Sequence, residues 1–279
     1  MRLDETLNDA AGVYFEGTLV ESLQTPWQLI EVFDTPALGK LMRIDGANMT
    51  SERDEFFYHE ALVHPAAITH AAPRKVLIIG GGDGGSAEEV LKHPSVEHVL
   101  LAELDQGVID IARKHFHAVH HDVFANPKLE LRIGDGAALV RTTTDRFDLI
   151  YLDLTDLVGP AEALYTQSFQ ADLKRALEPG GALVMHIGSP FSHPDRVSGN
   201  LANLRQVFSR VVPYFVHVPI YGATWGFAAA SDTLDPGAIP AEAIESRLQE
   251  RCIVDRRLYS ADIHAAMLAL PGYIRTLIG

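Results

Sequence analysis

The chain has 279 residues, a length that accommodates one large domain, or a large domain with a small companion, around a sizeable core. Its 23 basic and 37 acidic side chains give a formal net charge of −14, spread along the chain rather than gathered in runs, which sets aside nucleic acid and membrane surfaces as partners and favours cationic ligands. The composition, 47% hydrophobic and 22% charged, is that of an ordered globular chain, and the single cysteine, Cys252, excludes an internal disulfide and a multi-cysteine metal site.

No apolar stretch follows a basic flank at the start, and no uncharged run is long enough to span a bilayer, so the expected location is the cytoplasm. Residues 1–60 predict a small antiparallel β module, with strands over Val13–Leu19, Trp27–Phe33 and Lys40–Ile44 and turns at Thr35-Pro36 and Asp45-Gly46. Beyond Pro73 the period changes. Val76–Ile79 runs into a glycine cluster, a helix is expected over Ser86–Lys92, and Val99–Leu104 forms the next strand, which makes a βαβ unit. Helices and buried strands then alternate through Gly107–Phe116, Leu129–Ile133, Leu149–Asp153, Gln167–Leu177 and Ala182–Ile187. A helix over Asp195–Ser209, strands over Val211–Val218 and Trp225–Ala230, and a surface helix over Ala241–Arg251 complete residues 61–279. The expected architecture is α/β: a doubly wound, Rossmann-like, mostly parallel sheet of the methyltransferase type, preceded by the β module.

Gly80, Gly82 and Gly85 satisfy G-x-G-x-x-G between a strand and a helix, and Glu103 ends the following strand, where an acid can hold ribose hydroxyls. The pattern predicts a nucleoside site. Asp83 inside the loop would repel a pyrophosphate, which argues against a dinucleotide and for a cationic nucleoside such as S-adenosylmethionine or a relative. Asp135, in Gly134-Asp135-Gly136 after a strand, is placed to accept from an adenine amine. Asp153 ends the strand Leu149–Leu152 and Asp156 follows, both on the side where open α/β sheets bind ligands. Acids crowded there suit a polyamine, whose ammonium groups need carboxylates and whose attacking nitrogen must lose a proton.

With these residues in place, the chain resembles the spermidine synthase family, the polyamine aminopropyltransferases, over nearly its whole length. The likeness rests on Arg53-Asp54-Glu55-Phe56-Phe57-Tyr58-His59-Glu60, the loop Gly80 to Gly85, Glu103-Leu104-Asp105, Gly134-Asp135-Gly136 and Asp153-Leu154-Thr155-Asp156, with later matches at Pro219-Ile220-Tyr221 and Gly226-Phe227. The resemblance implies aminopropyl transfer from decarboxylated S-adenosylmethionine, a co-substrate, to an amine, with no metal and no separate cofactor. It implies that Glu103 holds the ribose, Asp135 the adenine and Asp83 the donor amine, that Gln28 touches the nucleoside, and that Asp153 is the base. Asp156 would bind the acceptor, with Tyr58 and Tyr221 flanking its amine. It also implies a homodimer or homotetramer. The chain departs from the family pattern at Met49, Glu88, His186 and Gly188. Gly188 in place of a carboxylate predicts loss of a distal ammonium anchor and so weak use of putrescine, or better use of a longer amine whose far end reaches past Gly188, while His186 is either an acceptor contact or a satisfied buried imidazole.

Of the other conspicuous residues, His115, His117, His120 and His121 match no zinc spacing and are expected to form a solvated or helix-end cluster. His59 and Glu60 are expected to be structural, and Trp27 to be core or module interface. Two other functions compete with the leading one: a methyltransferase using S-adenosylmethionine itself, and a catalytically silent polyamine- or nucleoside-binding protein.

Overall fold

A computed structural model describes residues 1–155 and 164–279. The N-terminal region is a hairpin, β1 (Arg2–Asn8) with β2 (Ala11–Glu16), and an antiparallel meander, β3 (Thr18–Gln24), β4 (Leu29–Thr35), β5 (Gly39–Ile44) and β6 (Ala47–Ser51). The stretch Val13–Leu19 is therefore two strands, broken at Gly17, and β1 and β6 join those expected. Both β1 and β3 carry mostly exposed polar side chains, so they leave little hydrophobic signature.

Helix α1 (Glu55–Thr69) follows, and from Tyr58 to Ile68 it is buried all round. The main fold then runs β7 (Lys75–Gly80), α2 (Gly85–Leu91), β8 (His98–Glu103), α3 (Gln106–His115), α4 (His117–His120), β9 (Leu129–Ile133), α5 (Gly136–Thr142) and β10 (Phe147–Asp153). Then come α6 (Gln167–Arg175), β11 (Leu177–Gly188), α7 (Pro194–Val207), β12 (Arg210–Val218), β13 (Ala223–Ser231), α8 (Ala241–Glu250), α9 (Ala261–Leu268) and α10 (Gly272–Ile278). Asp105 caps α3 by accepting from Gly107 N, and Arg113, Lys114 and His115 in the last turn complement the helix dipole. Asp135 and Thr166 cap α5 and α6 in the same way.

The strands form one sheet in the order β12-β13-β11-β10-β7-β8-β9, parallel except where β13 runs against both neighbours. From β7 the chain winds outward through β8 and β9, then returns to β10 on the other side and winds the opposite way. The switch point lies between β7 and β10, whose ends pair Gly80 with Asp153. One apolar cluster packs α1, α2 and α8 on one face and a second packs α5, α6 and α7 on the other, while a third joins β4 and β5 to α3. Among the described residues no helix is long and apolar enough to cross a membrane.

Residues far along the chain satisfy the polar groups of α1. Glu60 accepts the backbone N–H groups of Arg257, Leu258 and Tyr259 at 2.6, 2.9 and 2.6 Å. The carbonyls at the end of the helix accept from Arg247 (Ile68, Thr69) and Arg251 (Ala67, His70, Ala71), which meets the helix's need for C-terminal donors.

Candidate active site

The C-terminal ends of β7, β8 and β10 and the facing strands of the N-terminal meander enclose a cavity of about 640 Å³. Its floor is the switch point. Gly81 N donates to Asp153 O at 2.8 Å, and Gly80, at φ +82°, approaches so closely that a Cβ there would lie 2.0 Å from the same carbonyl oxygen. Only glycine fits both the left-handed backbone and the contact.

On one side of the floor lie the residues expected to hold a nucleoside. Glu103 is buried at the end of β8, where its Oε1 accepts from Asp105 N at 2.9 Å, and burial pushes its carboxyl up to about 7. Gln28 Nε2 and Thr25 Oγ1 both donate to Asp105 Oδ2, at 3.1 and 2.6 Å, which pins the meander to the start of α3. Asp135 lines the cavity while its Oδ1 accepts from Ala137 N at 2.8 Å, and Gly82 sits beside Glu103. Trp27 is corrected: it is 52% exposed at the rim of this cavity, since the turn between β3 and β4 carries it outward, away from any core.

On the other side, α1 delivers Tyr58 and His59. The buried His59 ring bonds Glu55 Oε2 through Nδ1 at 2.9 Å and faces Asp83 Oδ2 through Nε2 at 3.3 Å. Burial favours the neutral ring, but Asp83 and Glu55 on either side outweigh it and hold the His59 proton well above the usual histidine range. Burial likewise opposes the Asp83 charge, and His59 together with the Gly85 N–H brings Asp83 below the ordinary aspartate range. His59 is thus no bystander in the fold, as expected from the sequence, but part of the site. A helix residue gives no local sign of the loop it will meet, and one side-chain step along α1 decides it.

Asp153 takes a 2.6 Å bond from the Ser86 hydroxyl at Oδ2 and faces the Tyr58 hydroxyl; burial pushes its carboxyl up to about 6, His59 pulling against this and Asp83 adding to it. The Tyr58 phenol is held protonated by burial and by Asp153. Atoms of His59, Asp83 and Asp153 lie within 4.8 Å of one another, so with the His59 proton held in place the two carboxylates are close enough to share one cationic group. Tyr221 stands edge-on to Tyr58, with ring centroids 6.2 Å apart, and its hydroxyl donates to Met49 O at 3.2 Å.

Past Tyr58 and Tyr221 a smaller compartment of about 60 Å³ adjoins the cavity, lined in part by Glu5, His186 and Trp225. His186 Nε2 is 2.6 Å from the Tyr165 hydroxyl and 3.1 Å from Leu154 O, so this nitrogen is engaged within the fold while the buried ring also walls the compartment. Gly188 has φ +91°, and a Cβ there would lie 3.1 Å from Arg196 Cδ; its replacement by a side chain is strained by the backbone before any question of charge. Asp156 lies outside the described residues. Of the histidine run, His117 pairs with Asp122 at 2.9 Å in solvent and His115 meets Glu21, whereas His120 is buried against Gly84 and Phe124, so the cluster is only partly solvated. Glu88 pairs with Lys92 at 2.9 Å.

Known proteins resemble this chain over most of its length. The model of the spermine/spermidine synthase domain matches residues 55–236. The polyamine aminopropyltransferase of Nitrosomonas europaea is 48% identical over 275 residues, 98% of this chain and 85% of that protein. Polyamine aminopropyltransferase 1 of Pseudomonas aeruginosa is 38% identical over 277 residues, 99% of this chain and 96% of that one. Among solved structures, a spermidine synthase in complex with the transition-state analogue AdoDATO superposes with a TM-score of 0.94 at 32% identity, covering 100% of this chain and 95% of that one. Spermidine synthase from Thermotoga maritima superposes with a TM-score of 0.92, also at 32% identity, covering 100% and 94%.

Proposed function

This chain belongs to the spermine/spermidine synthase family, and on that premise we propose that it transfers the aminopropyl group of decarboxylated S-adenosylmethionine to a polyamine acceptor, releasing 5′-methylthioadenosine. The observation that carries the reading is the placement of Asp83 and Asp153 at the switch point, directly beside the glycine loop. A donor that keeps its carboxylate would set that charge against theirs, which disfavours the methyltransferase alternative.

Glu103 accepts from the ribose hydroxyls, with Asp135 and Gln28 toward the base, and Gly80 and Gly82 let the backbone approach the nucleoside. Asp83 binds the donor amine. The acceptor nitrogen lies between Tyr58 and Tyr221 near Asp153, with His186 beyond, and Asp156 is the further residue assigned to binding the acceptor. Its lone pair attacks the carbon next to the sulfonium, the carbon–sulfur bond breaks with its electron pair going to sulfur, and the proton released by nitrogen passes to Asp153. An ammonium has no lone pair, so the carboxylate must both attract the cation and take its proton. Positioning supplies the rest of the rate, since the leaving group already carries positive charge.

The test is incubation with decarboxylated S-adenosylmethionine and a panel of amines, with products read by mass spectrometry. An amine heavier by one aminopropyl group, with methylthioadenosine in equal amount, is the expected result; methyl transfer from S-adenosylmethionine, or no product at all, would overturn it. The same reading places the protein in the cytoplasm as a homodimer or homotetramer, to be checked by light scattering, with units 1–60 and 61–279 to be mapped by limited proteolysis.

A further inference from the structure

The turn that carries Tyr221 is held by a residue far away in the chain. Pro219–Tyr221 form a single 3-10 turn between β12 and β13, whose ladder runs up to the pair Val218 and Ala223 on either side of it. The first N–H groups of such a turn have no partner within it. Pro219 has none to offer, and that of Ile220 donates to Asp54 Oδ2 at 2.7 Å. Asp54 immediately precedes α1, in the position from which an aspartate usually caps its own helix, yet its carboxylate makes no such bond. The other carboxylate oxygen accepts from the Ser51 hydroxyl at the end of β6, and the residue is 3% exposed, so both bonds are made out of water.

The two rings that flank the reacting amine are thereby referred to one carboxylate. Tyr58 follows Asp54 by about one helical turn on α1, and Tyr221 adjoins Ile220. The rings meet edge-on, at 85° and 6.2 Å between centroids. From the opposite side the turn is pressed by β2: at Gly222, which closes it with φ +58°, a Cβ would lie 2.3 Å from Val13 Cγ1.

We propose that Asp54 is a positioning residue for aminopropyl transfer: it caps the Tyr221 turn from another element and so fixes the gap between Tyr58 and Tyr221 in which the amine reacts, without binding the amine itself. This rests on the aminopropyl-transfer reading. Asp54 also borders the large cavity, so the competing role is that of an anchor for an ammonium group. The two roles need different things. A cap needs an oxygen in one place, whereas an anchor needs negative charge.

Asp54→Asn keeps the oxygen and removes the charge, while Asp54→Glu keeps the charge and moves the oxygen by one methylene. The amine KM should stay within about threefold of the wild type in Asp54→Asn and rise by about tenfold or more in Asp54→Glu, with the dissociation constant of methylthioadenosine unchanged in both. The reverse order, an equal effect of the two, or a parallel loss of nucleoside binding overturns the proposal. Asp54→Ala, which removes the oxygen without adding bulk, takes the place of Asp54→Glu should the longer side chain prevent folding.

A second readout needs no activity. Trp225 lies 4.7 Å from the Tyr221 ring, and the chain has two tryptophans, so in a Trp27→Phe background the fluorescence reports on this turn alone. Its emission should move to longer wavelength in Asp54→Glu or Asp54→Ala and stay in place in Asp54→Asn. Should no amine accept an aminopropyl group, the functional reading fails, and the emission still decides whether Asp54 holds the turn: that pattern supports the hold, and an unmoved spectrum in all variants rejects it.

Discussion

The Ser86 hydroxyl donates to Asp153 Oδ2 at 2.6 Å, joining the first turn of α2 to the end of β10 across the glycine loop. The bond favours the ionised carboxylate, and burial still outweighs it and raises the group to about 6. Asp153 must be ionised to accept a proton, so kcat/KM should fall as pH drops through about 6. In Ser86→Ala that acid limb should move to higher pH, with rates converging on the wild type under alkaline conditions. A limb that stays in place would show that another group controls it.

Asp153→Asn retains shape and most hydrogen bonding but removes the proton acceptor. Single-turnover rates at saturating donor should drop by roughly 10²–10⁴-fold. The saturating donor separates chemistry from binding, and a normal rate there would move the base role elsewhere.

Donor selection should be steep. Decarboxylated S-adenosylmethionine is expected to bind far more tightly than S-adenosylmethionine, since a carboxylate placed among Asp83 and Asp153 costs on the order of several kcal/mol. Equal dissociation constants by calorimetry would count against the assignment.

Glu103 offers a titration signature of nucleoside binding. Burial raises its carboxyl to about 7, so near neutral pH it is partly protonated. Ribose hydroxyls donate to the ionised form, and binding should therefore release a proton. Between about pH 6 and 7.5, calorimetry of methylthioadenosine in buffers of different ionisation enthalpy should show that release, and Glu103→Gln should abolish it while weakening binding by about tenfold or more.

Acid should unfold the protein partly through one buried chain. Arg251 donates to His93 Nδ1 at 3.2 Å, His93 Nε2 then donates to His64 Nδ1 at 3.2 Å, and His64 Nε2 faces Glu89 at 3.0 Å. Burial holds the His93 imidazole well below the usual histidine range, so its contribution to stability is complete above about pH 6.5 and is lost as pH falls below that value. Burial would raise Glu89, but its bond to His64 brings it down, so its contribution is kept above about pH 4.5 and lost below. Urea midpoints measured from pH 7 to 5 should decline in the wild type and decline less in His93→Gln, which starts from a lower value.

The nucleoside half of the site was legible because its residues are local in the chain: a glycine loop closing a buried strand, an acid at the end of the next strand, and another acid just past the strand after that. Spacing along one βαβ unit encodes them. The acceptor half was legible only in part. His59 reaches Asp83 by the packing of α1 over the glycine loop, Glu5 reaches the smaller compartment by the folding of a polar hairpin, and Trp27 is turned outward by a two-strand connection. None of these three follows from periodicity, because each depends on where a separate element docks. Helix α1, buried on every side, also lacks the apolar stripe by which a sequence declares which face is inward.

The clamp on α1 has a bearing on synthesis. The helix that presents Tyr58 and His59 has Glu60 satisfied by Arg257, Leu258 and Tyr259 and its last carbonyls satisfied by Arg247 and Arg251. A nascent chain lacks those groups until residues 247–259 have left the ribosome, and until then α1 cannot bury its carboxylate with a partner. The glycine loop can therefore fold while translation continues, whereas the amine pocket is completed last, and chains released early have no competent catalytic centre.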